Sequence, residues 1–237
     1  MSPDDVNRLL GYLPRLLPGL AYTISVPLVT MTLATLLGCL VAVLLVSPRR
    51  AVRVAVRTYI DVARAIPELV WIFIFYGLLP FLPLFPIVLD GLQAVVIALT
   101  IVFGAFLGEV IRGGINGVEP TQWEAGQVLG MSRPLTWRRI ILPQAARNIL
   151  PVWTSYFVAM FKATALMSLV ALPDLFGVAR NIGSQNFRYF ELYAIVLVAY
   201  YVIGSTALFL IRRLERRWNV DARRIEEREI LSATAAA

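Results

Sequence analysis

The chain has 237 residues, of which 59% are apolar and only 16% charged, against about 45–50% and about 25% in soluble globular domains. That balance, with a mean hydropathy of +0.74, excludes an ordinary water-soluble enzyme. The formal charge of +7 points to no nucleic-acid partner, because the basic residues fall between apolar runs and form no aromatic-interleaved patch. With no histidine and one cysteine, Cys39, the chain offers no histidine catalysis, no metal site of the His/Cys type and no internal disulfide.

Residues 1–15 carry Asp4 and Asp5 and lack both a basic leader and a small-residue cleavage site, so they do not read as a removable signal peptide. About 20 apolar residues cross a bilayer as a helix, and five stretches qualify: 17–46, 59–79, 87–110, 149–172 and 192–211. The expectation is an all-α integral membrane protein, a single transmembrane domain over 1–237 with about five spans. Pro27 predicts a kink in the first span, and Cys39, in a wholly apolar run, predicts buried packing. The second span is interrupted by Arg64, Pro67 and Glu68, so part of it is expected at an interface or beside a protected cavity. Pro80, Pro83 and Pro86 predict an ordered external turn.

Arginine decides the orientation, since short basic loops stay cytoplasmic. Arg49, Arg50, Arg53 and Arg57 follow the first span, and Arg112, Arg133, Arg138, Arg139 and Arg147 follow the third. The tail, 212–237, adds seven more arginines interspersed with acids. The opposite side carries Arg8 and Arg15 offset by Asp4 and Asp5, then Asp90 alone, then Arg180 and Arg188. An N-terminus outside and a C-terminus in the cytoplasm follow.

Residues 113–148 form the longest polar segment between spans, and loops of that length are functional or disordered. Here Glu119 or Thr121 caps a helix, Pro120 suits its first turn, and Trp123, Ala125, Val128 and Leu129 supply an apolar face. Gly130 ends it, Ser132 and Pro134 open a second short helix, and 135–142 sets Leu135, Ile140, Ile141 and Leu142 against Arg138 and Arg139. Two short helices joined at a glycine read as a docking surface for another protein or as an interfacial pair resting on lipid headgroups.

The spacing Glu124-Ala125-Gly126, three residues, Gly130, nine residues, Ile140-Ile141-Leu142-Pro143 resembles the EAA loop of permease subunits in ABC importers. The runs GAFLGEVIRGGI (104–115), LPQAAR (142–147) and FKATAL (161–166) resemble the polar amino-acid branch, and the likeness covers about 19–218. The resemblance implies a bacterial inner-membrane, multi-pass subunit, no enzyme itself, in which 113–148 couples to an ABC ATPase dimer. It also implies a second permease subunit, identical or homologous, and a periplasmic or surface substrate-binding protein. No cofactor is expected in this chain: ATP and magnesium belong to the ATPase, as no Gly-x4-Gly-Lys-Ser/Thr loop occurs here. The coupling residues implied are Glu124, Ala125, Gly126, Gly130, Ile140, Leu142 and Pro143. Three departures stand out. Gly126 replaces alanine and suggests a more flexible coupling helix; Glu119-Pro120-Thr121-Gln122 replaces Pro-Gly-Gln; and Arg64-Ala65-Ile66-Pro67-Glu68 replaces the Arg-Gly-Thr-Pro of amino-acid permeases, leaving opines or phosphonates open as solutes.

Charged groups in spans are costly unless paired or facing water, which singles out Glu68, Glu109 and Lys162. Glu109 lies one turn from Arg112, predicting an ion pair; Glu68 meets a cationic solute or pairs with Arg64; Lys162 meets a carboxylate or the solute. Glu124 pairs with an ATPase arginine or, within the loop, with Arg138 or Arg139. Tyr22, Ser155, Thr164 and Ser168 complete the candidate pathway, though hydroxyls in membrane helices most often bond backbone. A channel working without ATP and a small membrane enzyme using Glu68 and Glu109 are the competing readings.

Overall fold

The computed structural model describes the backbone of residues 3–82 and 87–235 and the side chains of residues 11–82 and 87–213. Pro83 and Pro86, and the side chains of Asp4, Asp5, Arg8 and the tail from 214 onward, lie outside these. The described backbone is helical and joined by short turns. Helix α1 is Pro3–Leu45, α2 Arg50–Ala65, α3 Glu68–Phe73, α4 Gly91–Asn116, α5 Pro120–Val128, α6 Arg133–Thr136, α7 Leu142–Ala163, α8 Leu175–Asn186 and α9 Tyr189–Ala235.

Four stretches are long and apolar enough to cross a membrane: Gly11–Leu45, Gly91–Asn116, Arg133–Val170 and Tyr189–Arg213. A fifth arises if Arg50–Ala65 and Glu68–Phe81, bent by 102°, count as one broken span. The helices outrun the expected spans, because backbone hydrogen bonding continues past the apolar core into polar turns. α1 runs unbroken through Pro27. The second span is interrupted as expected, at Ile66 and Pro67, both extended: a residue before proline is pushed out of the helical region, and proline supplies no N–H.

Two segments that lack a span's apolarity are helical all the same. Arg50–Ala65 is amphipathic, with Val56, Ile60 and Ala63 buried, so its arginines decorate a helix. Leu175–Asn186 is capped by Asp174, whose carboxylate accepts from Gly177 N at 2.9 Å and Phe176 N at 3.2 Å, the side-chain cap that α-helix N-termini favour.

The chain divides into two compact units, one built from the residues up to Glu109 with Tyr156–Gly204, the other from Val110–Ser155 with the chain from Ser205 onward. In the first, Val41 and Leu45 of α1, Val56, Ile60 and Ala63 of α2 and Ala105 of α4 form one apolar core. Leu16 of α1 joins Leu175, Ala179 and Ile182 of α8 and Leu192 and Val196 of α9 in another. α1 and α4 touch backbone to backbone: a Cβ on Gly38 would stand 2.8 Å from Leu107 Cβ, and one on Gly108 2.2 Å from Val41 Cγ1. Gly104 and Gly108 form the Gly-x3-Gly seam that membrane helices use for close approach. Cys39 is exposed, correcting its expected burial: it shares the outer face of α1 with the exposed Leu36, Leu40 and Val43. α9 packs through Leu192 and Val196, while Leu197, Val198, Tyr201, Val202, Phe209 and Leu210 are exposed and leave that side for lipid or another chain.

Candidate functional site

The second unit is centred on a polar elbow. α5 starts at Pro120, N-terminal proline being tolerated where no N–H is needed, after Glu119; the Glu119 carboxylate accepts from Thr121 Oγ1 at 3.3 Å and makes no backbone cap. The turn after α5 centres on Gly130, which adopts φ +69°. Met131 N donates to Gly126 O and Gly130 N to Gln127 O, each at 2.9 Å, the paired bonds of a Schellman turn, which glycine adopts at least cost. The chain re-enters helix at Arg133 after Ser132.

The second short helix is not a separate one. α6 passes through a wide π turn, Trp137–Ile141, straight into α7, so the expected amphipathic piece 135–142 is the first part of the next span. Its apolar residues also divide: Ile141 is fully buried, whereas Leu135 and Leu142 are 39% and 45% exposed.

The inner face of the elbow is tightly built. Val118, Ile141 and Ala145 form its core, flanked by Ile115, Trp123, Trp137, Ile140 and Ile149. The indoles of Trp123 and Trp137 stack at 6.0 Å and 27°. Gln144 donates to Gln122 Oε1 at 3.0 Å, and Asn148 to Gly114 O at 3.2 Å. Gly126 is buried, and a Cβ there would stand 2.5 Å from Thr136 Cγ2. Glycine at 126 therefore permits contact, which replaces the expectation of a flexible helix. This contact also rotates α5, so its expected apolar face is split: Trp123 turns inward while Ala125, Val128 and Leu129 turn outward, the last two 88% and 73% exposed. Glu124 shares that exposed face and pairs with neither Arg138 nor Arg139; among described residues the ion pairs are Arg64–Glu109 and Arg188–Glu191.

In the first unit, Arg64 is the partner of Glu109, in place of Arg112 for Glu109 and of Glu68 for Arg64. The bend at Ile66–Pro67 separates Arg64 from Glu68, and tertiary packing brings a residue 45 positions away closer than the neighbour one turn on. Arg112 is left with a buried Nε lacking a partner. Glu68, half-buried, opens α3 without an ion pair, and Lys162, exposed, closes α7 without one. Ser155 Oγ donates to Pro151 O at 3.2 Å and Thr164 Oγ1 to Phe161 O at 2.7 Å, the local helix bonding such hydroxyls favour. Ser168 is buried and Tyr22 half-buried.

A buried cluster that sequence reasoning missed joins Thr23, Asp174 and Tyr200. Thr23 Oγ1 donates to Gly19 O and accepts from Leu175 N, both at 3.0 Å, and Tyr200 Oη donates to Asp174 Oδ2 at 3.3 Å. Burial pushes the Asp174 carboxyl above its usual value, while bonds from Gly177, Phe176 and Tyr200 pull it down. An aspartate directly before Leu175-Phe176-Gly177 was the available cap signal.

Comparison with known proteins places this architecture. Residues 34–220 match the family model described as the binding-protein-dependent transport system inner membrane component. The chain is 31% identical over 205 residues to a probable amino-acid ABC transporter permease protein, YckA, of Bacillus subtilis, covering 86% of this chain and 89% of that one. It is 32% identical over 211 residues to the L-cystine transport system permease protein TcyB of the same organism, covering 87% and 89%. Among solved structures, an amino acid ABC transporter crystallised with histidines superposes with a TM-score of 0.81 at 34% identity, covering 92% of this chain and 100% of that one. The chain thus belongs to the family of inner-membrane components of binding-protein-dependent transport systems.

Proposed function

We infer that this chain is the permease subunit of an ATP-driven ABC importer for a polar amino acid or a related nitrogenous solute. As an inner-membrane transport component rather than an enzyme, it works with a binding protein that delivers the solute and an ATPase that supplies the energy. ATP and magnesium are held by that ATPase. The N-terminus lies outside and the C-terminus in the cytoplasm, which puts the 113–148 elbow beside the ATPase.

The observation that carries the coupling role is the elbow's two-sidedness. Its inner face is fixed by Trp123, Gly126, Trp137 and Ile141, while Glu124, Ala125, Val128 and Leu129 stand outward. Such a rigid projection transmits a push, with Gly130 fixing its turn and Ile140, Leu142 and Pro143 leading into the span. One elbow per chain serves one ATPase, so a pair of ATPases requires a second permease, a copy or a homologue. ATP binding then shifts the pair between inward- and outward-facing states; inverting a 1:99 population takes about 5.5 kcal/mol of differential affinity.

Glu124→Lys tests this. Membrane insertion and thermal midpoint should stay at wild-type values while uptake in proteoliposomes carrying the ATPase and binding protein falls at least about tenfold, within the usual range of coupling energies. Wild-type uptake by this variant removes Glu124 from the coupling surface.

A further inference from the structure

The seat of the Arg64–Glu109 pair carries one further inference, which rests on the importer reading. Arg64 lies at the end of α2 and Glu109 stands on α4; their side chains form an ion pair while remaining 43% and 39% exposed. Ionised groups against lipid are expensive, so beside the apolar α4 the open side of the pair faces water or protein.

Their bonding capacity is only half used. One guanidinium nitrogen, Nη1, meets one carboxylate oxygen, Oε2, leaving further N–H donors on Arg64 and a second oxygen on Glu109 without a described protein partner. The guanidinium is also held from behind. Its central carbon lies 5.0 Å from the Phe106 ring centre; Phe106 stacks on Tyr156 at 5.2 Å and 28°; and Tyr156 meets Phe103 edge-on at 6.4 Å and 87°. A guanidinium seated on a braced aromatic face keeps its donor plane fixed.

A fixed donor fork beside a free carboxylate oxygen complements an ammonium and a carboxylate held on one carbon. We propose that Arg64 and Glu109 together form a receptor for the zwitterionic head group of an α-amino acid. The solute's carboxylate accepts from the open N–H groups of Arg64, and its ammonium donates to the open oxygen of Glu109. The resident pair need not part, because a neutral zwitterion adds no net charge and completes an alternating ring of four. The solute's side chain stays outside this contact, so the site reads the head group and leaves side-chain choice to the binding protein. A phosphonate without an amino group offers no ammonium to Glu109 and brings extra negative charge against it.

Binding of tritiated amino acids to the permease–ATPase complex in nanodiscs, without the binding protein, tests this. The amino acid best retained by the wild type is challenged with its decarboxylated amine and its N-acetyl derivative, each expected to compete at least about tenfold more weakly than the parent. Arg64→Gln should abolish the penalty for losing the carboxylate and keep the N-acetyl penalty; Glu109→Gln should do the reverse. A pair with a purely structural role shifts all three ligands together, and that uniform shift, or unchanged discrimination in both variants, overturns the proposal. Absence of saturable binding to the wild-type complex, with amino-acid uptake through the complete importer intact, overturns the receptor and leaves the importer reading standing. Absence of uptake for every amino acid through the complete importer fails the importer reading itself.

Discussion

Two polar clusters in the first unit differ in how they meet their surroundings. Around Thr23, Asp174 and Tyr200, the threonine and aspartate are fully buried and bonded: Asp174 takes N–H groups from Phe176 and Gly177 and the tyrosine hydroxyl, and Thr23 both donates and accepts. Arg64 and Glu109 satisfy each other once and leave their remaining groups open. Each cluster abuts an apolar span, α1 and α9 for one and α4 for the other, where an unmatched polar group is costly. The closed cluster directs its bonding to joining α1, α8 and α9 and so serves the fold, whereas the open pair retains capacity for something that arrives.

A cluster that serves the fold is not dispensable. Asp174→Ala strands the N–H groups of Phe176 and Gly177 and the Tyr200 hydroxyl in the interior and removes a helix cap; it should destabilise by about 3 kcal/mol, read by denaturant titration in mixed micelles. Because burial dominates the raised Asp174 carboxyl, the folded state holds a proton that the unfolded chain releases near pH 4. This group's stabilising contribution is therefore complete in acid and declines as pH rises through the folded value. Asp174→Asn keeps an acceptor for Gly177 and cannot ionise, so the stability of the variant relative to wild type should improve with rising pH across that window, then level. The smallest effect belongs to the open pair: Glu109→Gln should shift stability by no more than about 1 kcal/mol, as for other solvent-open ion pairs, and a loss comparable to that of Asp174→Ala would place it with the closed cluster.

The long apolar helices and the elbow were legible in sequence because their signals are local. Twenty apolar residues need no partner to declare a span, and Pro120, Gly130 and Ser132 mark a helix start, a left-handed stop and a restart within a few positions. In Arg50–Ala65 the arginines mark topology and mask a helix, although Val52, Val56, Ile60 and Ala63 recur at helical spacing. The Arg64–Glu109 pair was illegible for another reason. The one-turn rule that points from Glu109 to Arg112 ranks neighbours on a single helix and is blind to a residue brought across from α2. Asp174 carried a cap signal, but its burial depends on Tyr200 and Thr23 arriving from two distant helices. In the elbow the turns were readable and the facing of α5 was not, since its rotation follows from Gly126 against Thr136.

That last contact constrains how the sequence can drift. With Thr136 Cγ2 only 2.5 Å from where a side chain at 126 would begin, the two positions share one volume. An alanine at 126 is therefore tolerated only if volume is surrendered at 136 or the elbow opens. Changes at the two positions are expected to travel together.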